Sequence, residues 1–371
     1  MNVLKLLGTI CLVALVASMA SCERKITGNV EHLEDNSSVN CFACHDGAND
    51  LGTEVVLATR QWENSAHGSG NAMRSSGSCR PCHTNEGFVA SVTGDDVTAD
   101  HFTSVGCFTC HDPHTNGDFE LRITDAVVLG NGATYDRGVS NLCVQCHKSR
   151  RNVETYVPDG VELSGHFGPH HSPQSDMLLG ENAYEYDGYD YDDNSWHTTG
   201  VAEGCVKCHF RVGVDYEMGG HTFEMESGED ENTNACNVEG CHVNDLEIDD
   251  FDREMATMDF DGDGDFTEGV RTEIDDLMHD LETLLVDAGL LEWIAEDSAW
   301  EPTDNLVVPD ADSAGAVYNW AFVHEDQSHG IHNTLYAVAL LQSSINYMTL
   351  GDPSGVAGAS KLFALRPAPS H

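Results

Sequence analysis

Twelve of the 14 cysteines fall in six pairs, and each pair is followed at once by histidine. They read CFACH at 41–45, CRPCH at 79–83, CFTCH at 107–111, CVQCH at 143–147, CVKCH at 205–209 and, in a wider version, CNVEGCH at 236–242. C-x-x-C-H is the pattern that attaches c-type haem. Two thiols on one turn of chain can reach the two vinyl groups on one edge of a porphyrin, and the next imidazole then lies under the ring, where it can bind iron. This chemistry makes Cys41, Cys44, Cys79, Cys82, Cys107, Cys110, Cys143, Cys146, Cys205, Cys208, Cys236 and Cys241 thioether donors. His45, His83, His111, His147, His209 and His242 become proximal iron ligands. Disulfides need no histidine after the second cysteine, and zinc sites usually combine two cysteine pairs with histidines spaced differently. For the sixth motif a 236–241 disulfide is the alternative.

From residue 41 to 242 there is about one motif for every 34 residues. So little chain per cofactor cannot build a separate core around each ring, so the porphyrins themselves form the core, close enough for electrons to hop between them. The fold class expected is mostly α with much irregular loop, a multihaem cytochrome c with few or no strands. The division expected is a signal at 1–21, a six-haem domain at 22–250 and a haem-free helical region at 251–371.

Fourteen of the 20 histidines remain for the distal faces. His67 in WENSAHGSG and His197 in NSWHTTG share a preceding Ser and Trp, and each stands shortly before a motif. His114 in CHDPH cannot reach over its own ring and is expected to serve a neighbour. His221 follows two glycines that let backbone approach a ring face. Of His170 and His171, the choice is His171. His332 lies one helical turn before Leu335 on the stripe Leu335, Val338, Leu341, Ile345 and Met348. His279 lies off the stripe Val270, Ile274, Leu277, Leu281 and Leu284 and is expected to be solvated. His324 and His329 are reserves, His32 and His101 precede motifs, and His166 and His371 read as loop. Met177, Met218 and Met225 could replace a histidine at a site or two, with packing as the alternative. Ligation by two histidines lowers reduction potentials relative to His/Met ligation.

After residue 242 there is no further cysteine. DFDGDGDFTE at 259–268 resembles an EF-hand calcium loop, with Asp259, Asp261, Asp263 and Asp265 at alternate positions and Gly264 at the sharp turn. Val270 stands at the twelfth position, where that family has a glutamate, and Glu268 is the replacement considered. The alternative is a solvated turn capping the helix that follows. Helices are expected at about 267–289, 313–326 and 332–348. The Tyr/Asp-rich stretch 181–194 reads as solvated loop.

Lys5, the apolar run Leu6–Ala17 and Met19-Ala20-Ser21-Cys22 read as a secretory signal. The segment resembles a bacterial lipoprotein signal with Cys22 acylated; ordinary cleavage after Ala20 is the alternative. The formal charge of −46, from 63 acids against 17 Lys plus Arg, repels phosphate backbones and argues against nucleic-acid partners. Redox partner proteins or an extracellular acceptor are expected instead, in the periplasm or at the cell surface, with the membrane met only through a lipid at Cys22.

The six motifs, with CHDPH at 110–114, GPHHSP at 168–173 and HGIHN at 329–333, resemble the bis-histidine multihaem cytochrome superfamily. That group holds pentahaem nitrite reductases, octahaem reductases and outer-surface electron conduits. The resemblance implies covalent haem and electron transfer, and it matches His332-Asn333 to a step opening a long C-terminal helix. Two departures count against a reductase. The nitrite reductases have lysine after the second cysteine at the catalytic haem, whereas all six motifs here end in histidine, and six matches neither enzyme group. The expected role is therefore a low-potential carrier. A reductase of small nitrogen or sulfur oxyanions is the second reading, with Lys148, Arg150 and Arg151 as the one visible basic cluster, and a subunit of a haem filament is the third.

Overall fold

The computed structural model describes residues 50–112, 119–192, 194–213, 217–243, 247–253 and 258–354. The signal, Cys22, the first motif (Cys41, Cys44, His45) and His114 lie outside the described residues.

Two helices of more than two turns precede the tail. The first, α1, is Asp50–Glu63, and α2 is Asn85–Thr93. Thr84 caps α2 by accepting from Gly87 N at 3.1 Å, and Gly94 ends it with φ +78°. Elsewhere up to residue 253, among the described residues, helix comes in segments of three to six residues, several of them at the motifs. The tail adds α3 (Val270–Asp287), α4 (Ala311–Asp326) and α5 (Thr334–Leu350).

Strands are short and always antiparallel. β1 (Val127–Val128) pairs with β2 (Thr134–Tyr135), and β4 (Glu226–Ser227) with β5 (Asp230–Glu231). β6 (Leu291–Ile294) pairs with β7 (Ala299–Pro302), whereas β3 (Val161–Glu162) pairs with the distant β8 (Val307–Val308). The fold is mostly helix and loop, with strands of two to four residues.

The largest apolar cluster is built by α3, α4 and α5. Val270, Ile274, Leu277 and Leu281 of α3 are buried as their spacing requires, with Leu285 rather than Leu284 ending the stripe. Val153, Leu163, Phe167 and Met177, all from before residue 250, belong to the same cluster. The cluster thus draws residues from both sides of position 250.

α5 is not amphipathic in the way its stripe suggested. Tyr336, Ala337, Val338, Leu340, Leu341 and Ser343 are all buried, around the whole circumference, while Leu335, Ile345 and Met348 are half-buried. Its other side meets the tyrosines of the 181–194 stretch, which is partly packed: Glu185, Asp187, Asp190 and Asp192 stay exposed while other residues turn inward. Ala183 and Tyr186 are each 3% exposed. Tyr191 Oη donates to Ser343 Oγ at 2.7 Å, Tyr336 Oη to Glu185 at 3.0 Å and Tyr184 Oη to Asp312 at 2.7 Å. Tyrosine buries its ring while the hydroxyl finds a partner, so a polar-looking stretch can be core.

Candidate metal centres

Three of the five described motifs lie on one helical turn, Arg80–His83, Cys107–Cys110 and Cys205–His209, and the turn Asn141–Val144 ends inside a fourth. His111 N donates to Cys107 O and His147 N to Cys143 O, each at 2.9 Å. The wide motif closes with the same bond, His242 N to Cys236 O at 3.0 Å. Gly240, at φ +86°, takes up the extra residues in a conformation that a side chain would resist.

Every described motif histidine has a second histidine ring across from it. His83 faces His170 at a centroid distance of 6.1 Å, His111 faces His221 at 6.2 Å and His147 faces His67 at 6.0 Å. His209 faces His332 at 6.2 Å, and His242 faces His197 at 6.3 Å. Two imidazoles on opposite sides of one ion, each at about 2 Å, have centroids about 6 Å apart. The observed centroid distances of 6.0–6.3 Å equal that spacing.

Hydrogen bonds set the tautomers. Nδ1 faces a carbonyl oxygen in His83 (Ala72, 2.6 Å), His111 (Phe119, 2.8 Å), His197 (Ile331, 2.7 Å) and His209 (Phe223, 2.8 Å). In His147 it faces Gln174 Oε1 at 3.1 Å, and in His332 Asp326 Oδ1 at 2.7 Å. Acceptors at Nδ1 keep the proton there and leave the Nε2 lone pair for a metal. At His242 the Nδ1 neighbour is instead a donor, Arg253 Nη1, at 3.2 Å. Burial, helped by neighbouring His147, pushes His67 down to about 4, and burial likewise lowers His147, His197, His209 and His221. These rings stay neutral at pH 7, the form that ligates metal. His332 moves the other way: burial alone would lower it, and the Asp326 carboxylate raises it.

Of His170 and His171, the ring that lies across from His83 is that of His170, where the sequence reading chooses His171. Both residues are exposed, and His171 Nδ1 lies 2.7 Å from Glu325 Oε1. His170 has φ +76°, and it is this ring that faces His83. His279, His324 and His329 are exposed. Met177 and Met218 are buried, Met177 within the tail core.

Short segments serve several centres at once. His221 faces His111, while Phe223 holds His209 through its carbonyl and meets the His67 ring at 5.2 Å. Ile331 O holds His197, His332 faces His209, and Asn333 Oδ1 accepts from Ser195 N at 2.9 Å. The cysteines also adjoin. Cys146 Sγ lies 4.0 Å from Cys82 O, and Cys143 is a hydrogen-bond partner of Cys205. The second, fourth and fifth motifs are thus contiguous. The basic cluster is occupied: Arg150 donates to Cys82 Sγ at 3.0 Å and Cys146 O at 2.8 Å, Lys148 to Val128 O at 2.9 Å, and Arg151 lies over Tyr156 at 4.7 Å.

In the acidic turn, carboxylate oxygens of Asp259, Asp261 and Asp263 lie within 4.8 Å of one another, as do those of Asp261, Glu268 and Glu273. Asp265 belongs to neither group: its Oδ1 accepts from Thr267 N at 2.9 Å and Thr267 Oγ1 at 2.7 Å. Glu273, on the first turn of α3, was missed because it falls three places beyond the twelfth loop position. Burial first, and the charges of Asp261 and Asp259 after it, push its carboxyl up to about 7.

No family model matches the chain. Two curated relatives from two strains of Geobacter sulfurreducens, each described as "C-type polyheme cytochrome OmcB", are 29% identical over 149 residues. The match covers 34% of this chain and spans 19% of the length of those relatives. Among solved structures, outer cell wall cytochrome OcwA aligns at 17% identity and a TM-score of 0.42, over 78% of this chain and 50% of that one. Among the described residues no helix is long and apolar enough to cross a membrane. The sequence likeness to the Geobacter relatives, with the attachment motifs, supports a multihaem c-type cytochrome.

Proposed function

We propose that this chain is an exported, low-potential electron carrier with six covalently attached haems, its irons ligated by two histidines each. The observation that carries the reading is the set of five histidine pairs at 6.0–6.3 Å, each joining a motif histidine to one outside the motifs. His67, His170, His197, His221 and His332 would hold the distal faces. The first haem would take Cys41, Cys44 and His45, and His114 would serve a haem neighbouring its own motif.

When bound, the haems supply one-electron chemistry; the protein contributes ligation, spacing and charge. A histidine across from each described motif histidine leaves no iron face there for a substrate, which favours a carrier over a reductase. Lys148, Arg150 and Arg151 make local contacts to Val128 O, to Cys82 and Cys146, and to Tyr156, as groups that shape the protein interior would. Bis-histidine ligation and the charge of −46 both favour ferric iron and so lower the potentials. The signal-like segment and Cys22 support a carrier exported from the cytoplasm and held by a lipid anchor, where a redox protein or an extracellular acceptor would receive the electrons.

A haem count on the purified mature protein, with electron paramagnetic resonance of its oxidised form, tests this. Six haems with only low-spin ferric signals are expected. A colourless protein, or a high-spin haem that shifts on adding nitrite, would overturn it.

A further inference from the structure

We propose that the acidic turn binds one Ca²⁺ through Asp259, Asp261 and Asp263, with Glu268 and Glu273 joining the site through their group around Asp261, bracing α3 against the loop that carries His332. This does not rest on the haem assignment.

Acidic clusters at a surface are common, but here two oxygens are buried and unmatched. Asp259 is 2% exposed and its Oδ1 has no hydrogen-bond partner; Glu268 Oε2, beside Asp261 and Glu273, has none either. A carboxylate oxygen taken from water without a donor is costly, and a cation removes that cost. Among the described residues, none of the five carboxylates has a Lys, Arg or His ion-pair partner. An all-oxygen donor set excludes the usual zinc chemistry. Irregular carboxylate geometry suits Ca²⁺, whereas Mg²⁺ demands an octahedron and keeps its water.

Glu273 is 1% exposed, and its Oε2 accepts from Phe260 N at 2.7 Å and Asp261 N at 3.0 Å. It clamps the turn to the first turn of α3. Phe260 O in turn accepts from Gln342 Nε2 of α5 at 2.5 Å. The next two residues of α3 meet the His332 loop. A Cβ on Gly330 would come within 2.7 Å of Ile274 Cγ1, and Asp275 bonds His329 Nδ1 at 2.7 Å. A cation at Glu273 would therefore fix the surface on which that loop rests.

The test is calorimetric titration of CaCl₂ into the chelator-treated, haem-loaded protein in excess Mg²⁺, with thermal unfolding alongside. One equivalent bound and a higher Tm are expected. Glu273→Gln and the exposed Asp263→Asn should each weaken binding at least tenfold with haem content and Soret spectrum unchanged. No uptake, or parental affinity in both variants, overturns the site. Haem content is read in the same samples, so failure here is distinct from failure of the carrier reading.

Discussion

Asp326 Oδ1 lies 2.7 Å from His332 Nδ1, and this aspartate is 2% exposed. Among the described histidine pairs, the other Nδ1 acceptors are four backbone carbonyls and the Gln174 amide. A buried carboxylate pulls the Nδ1 proton, makes the imidazole a stronger donor and favours ferric iron. Of the centres among the described residues, a haem on Cys205 and Cys208 should therefore have the lowest potential. Asp326→Asn should raise that midpoint by on the order of 60 mV, a tenfold change in a one-electron equilibrium. Spectroelectrochemical titration reads it, and an unmoved lowest midpoint would remove Asp326 from this role.

His170 and His171 separate just as sharply. His170→Ala should convert one haem to high spin, seen as a new axial paramagnetic resonance signal and a blue-shifted Soret band. His171→Ala removes only a half-exposed contact to Glu325, so every haem should stay low-spin. The reverse pattern would restore His171 as the ligand.

The attachment chemistry was legible in the sequence because thioether formation and proximal ligation are local, fixed by five consecutive residues. Distal ligation is not. His67 and His197 could be singled out by repeated context, and His332 by helical phase, yet the partner of each is 80, 45 and 123 positions away in the chain (His147, His242, His209). No periodicity carries that information. The choice between His170 and His171 turned on one backbone angle, φ +76° at His170. The 181–194 stretch misled for another reason. Its tyrosines and acids look solvated, and only contact with α4 and α5 turns Tyr186 and Tyr191 into core. Glu273 escaped because the loop was judged against a fixed twelfth position.

Asp310 gives a prediction with a pH sign. It caps α4 by accepting from Ser313 N at 2.7 Å and takes a second bond from Tyr347 Oη at 3.1 Å. Partial burial would raise its carboxyl, but these bonds outweigh that and lower it below the ordinary value. A depressed folded-state value stabilises above the unfolded pKa of about 4 and loses that contribution as pH falls through the folded value. Asp310→Ala should cost about 1 kcal/mol at pH 7, and the gap in Tm should close below about pH 4. A pH-independent gap would show that the charge plays no part.

The sixth motif decides the haem count. In a standard motif the histidine amide returns to the first cysteine's carbonyl, as His147 N does to Cys143 O at 2.9 Å. In CNVEGCH the same bond, His242 N to Cys236 O at 3.0 Å, survives two extra residues because Gly240 turns through φ +86°. The chain thus brings both thiols and the imidazole to one turn, and His197 lies across from that imidazole at 6.3 Å. Replacing Cys236 and Cys241 together by serine should lower the intact mass by one haem and leave His197 without an iron to share. Gly240→Val should reduce attachment at this site alone, because a β-branched residue resists positive φ. If instead the double serine variant kept its full haem complement and the parent proved to hold a 236–241 disulfide, the carrier would have five haems and Cys236 and Cys241 would be a structural staple.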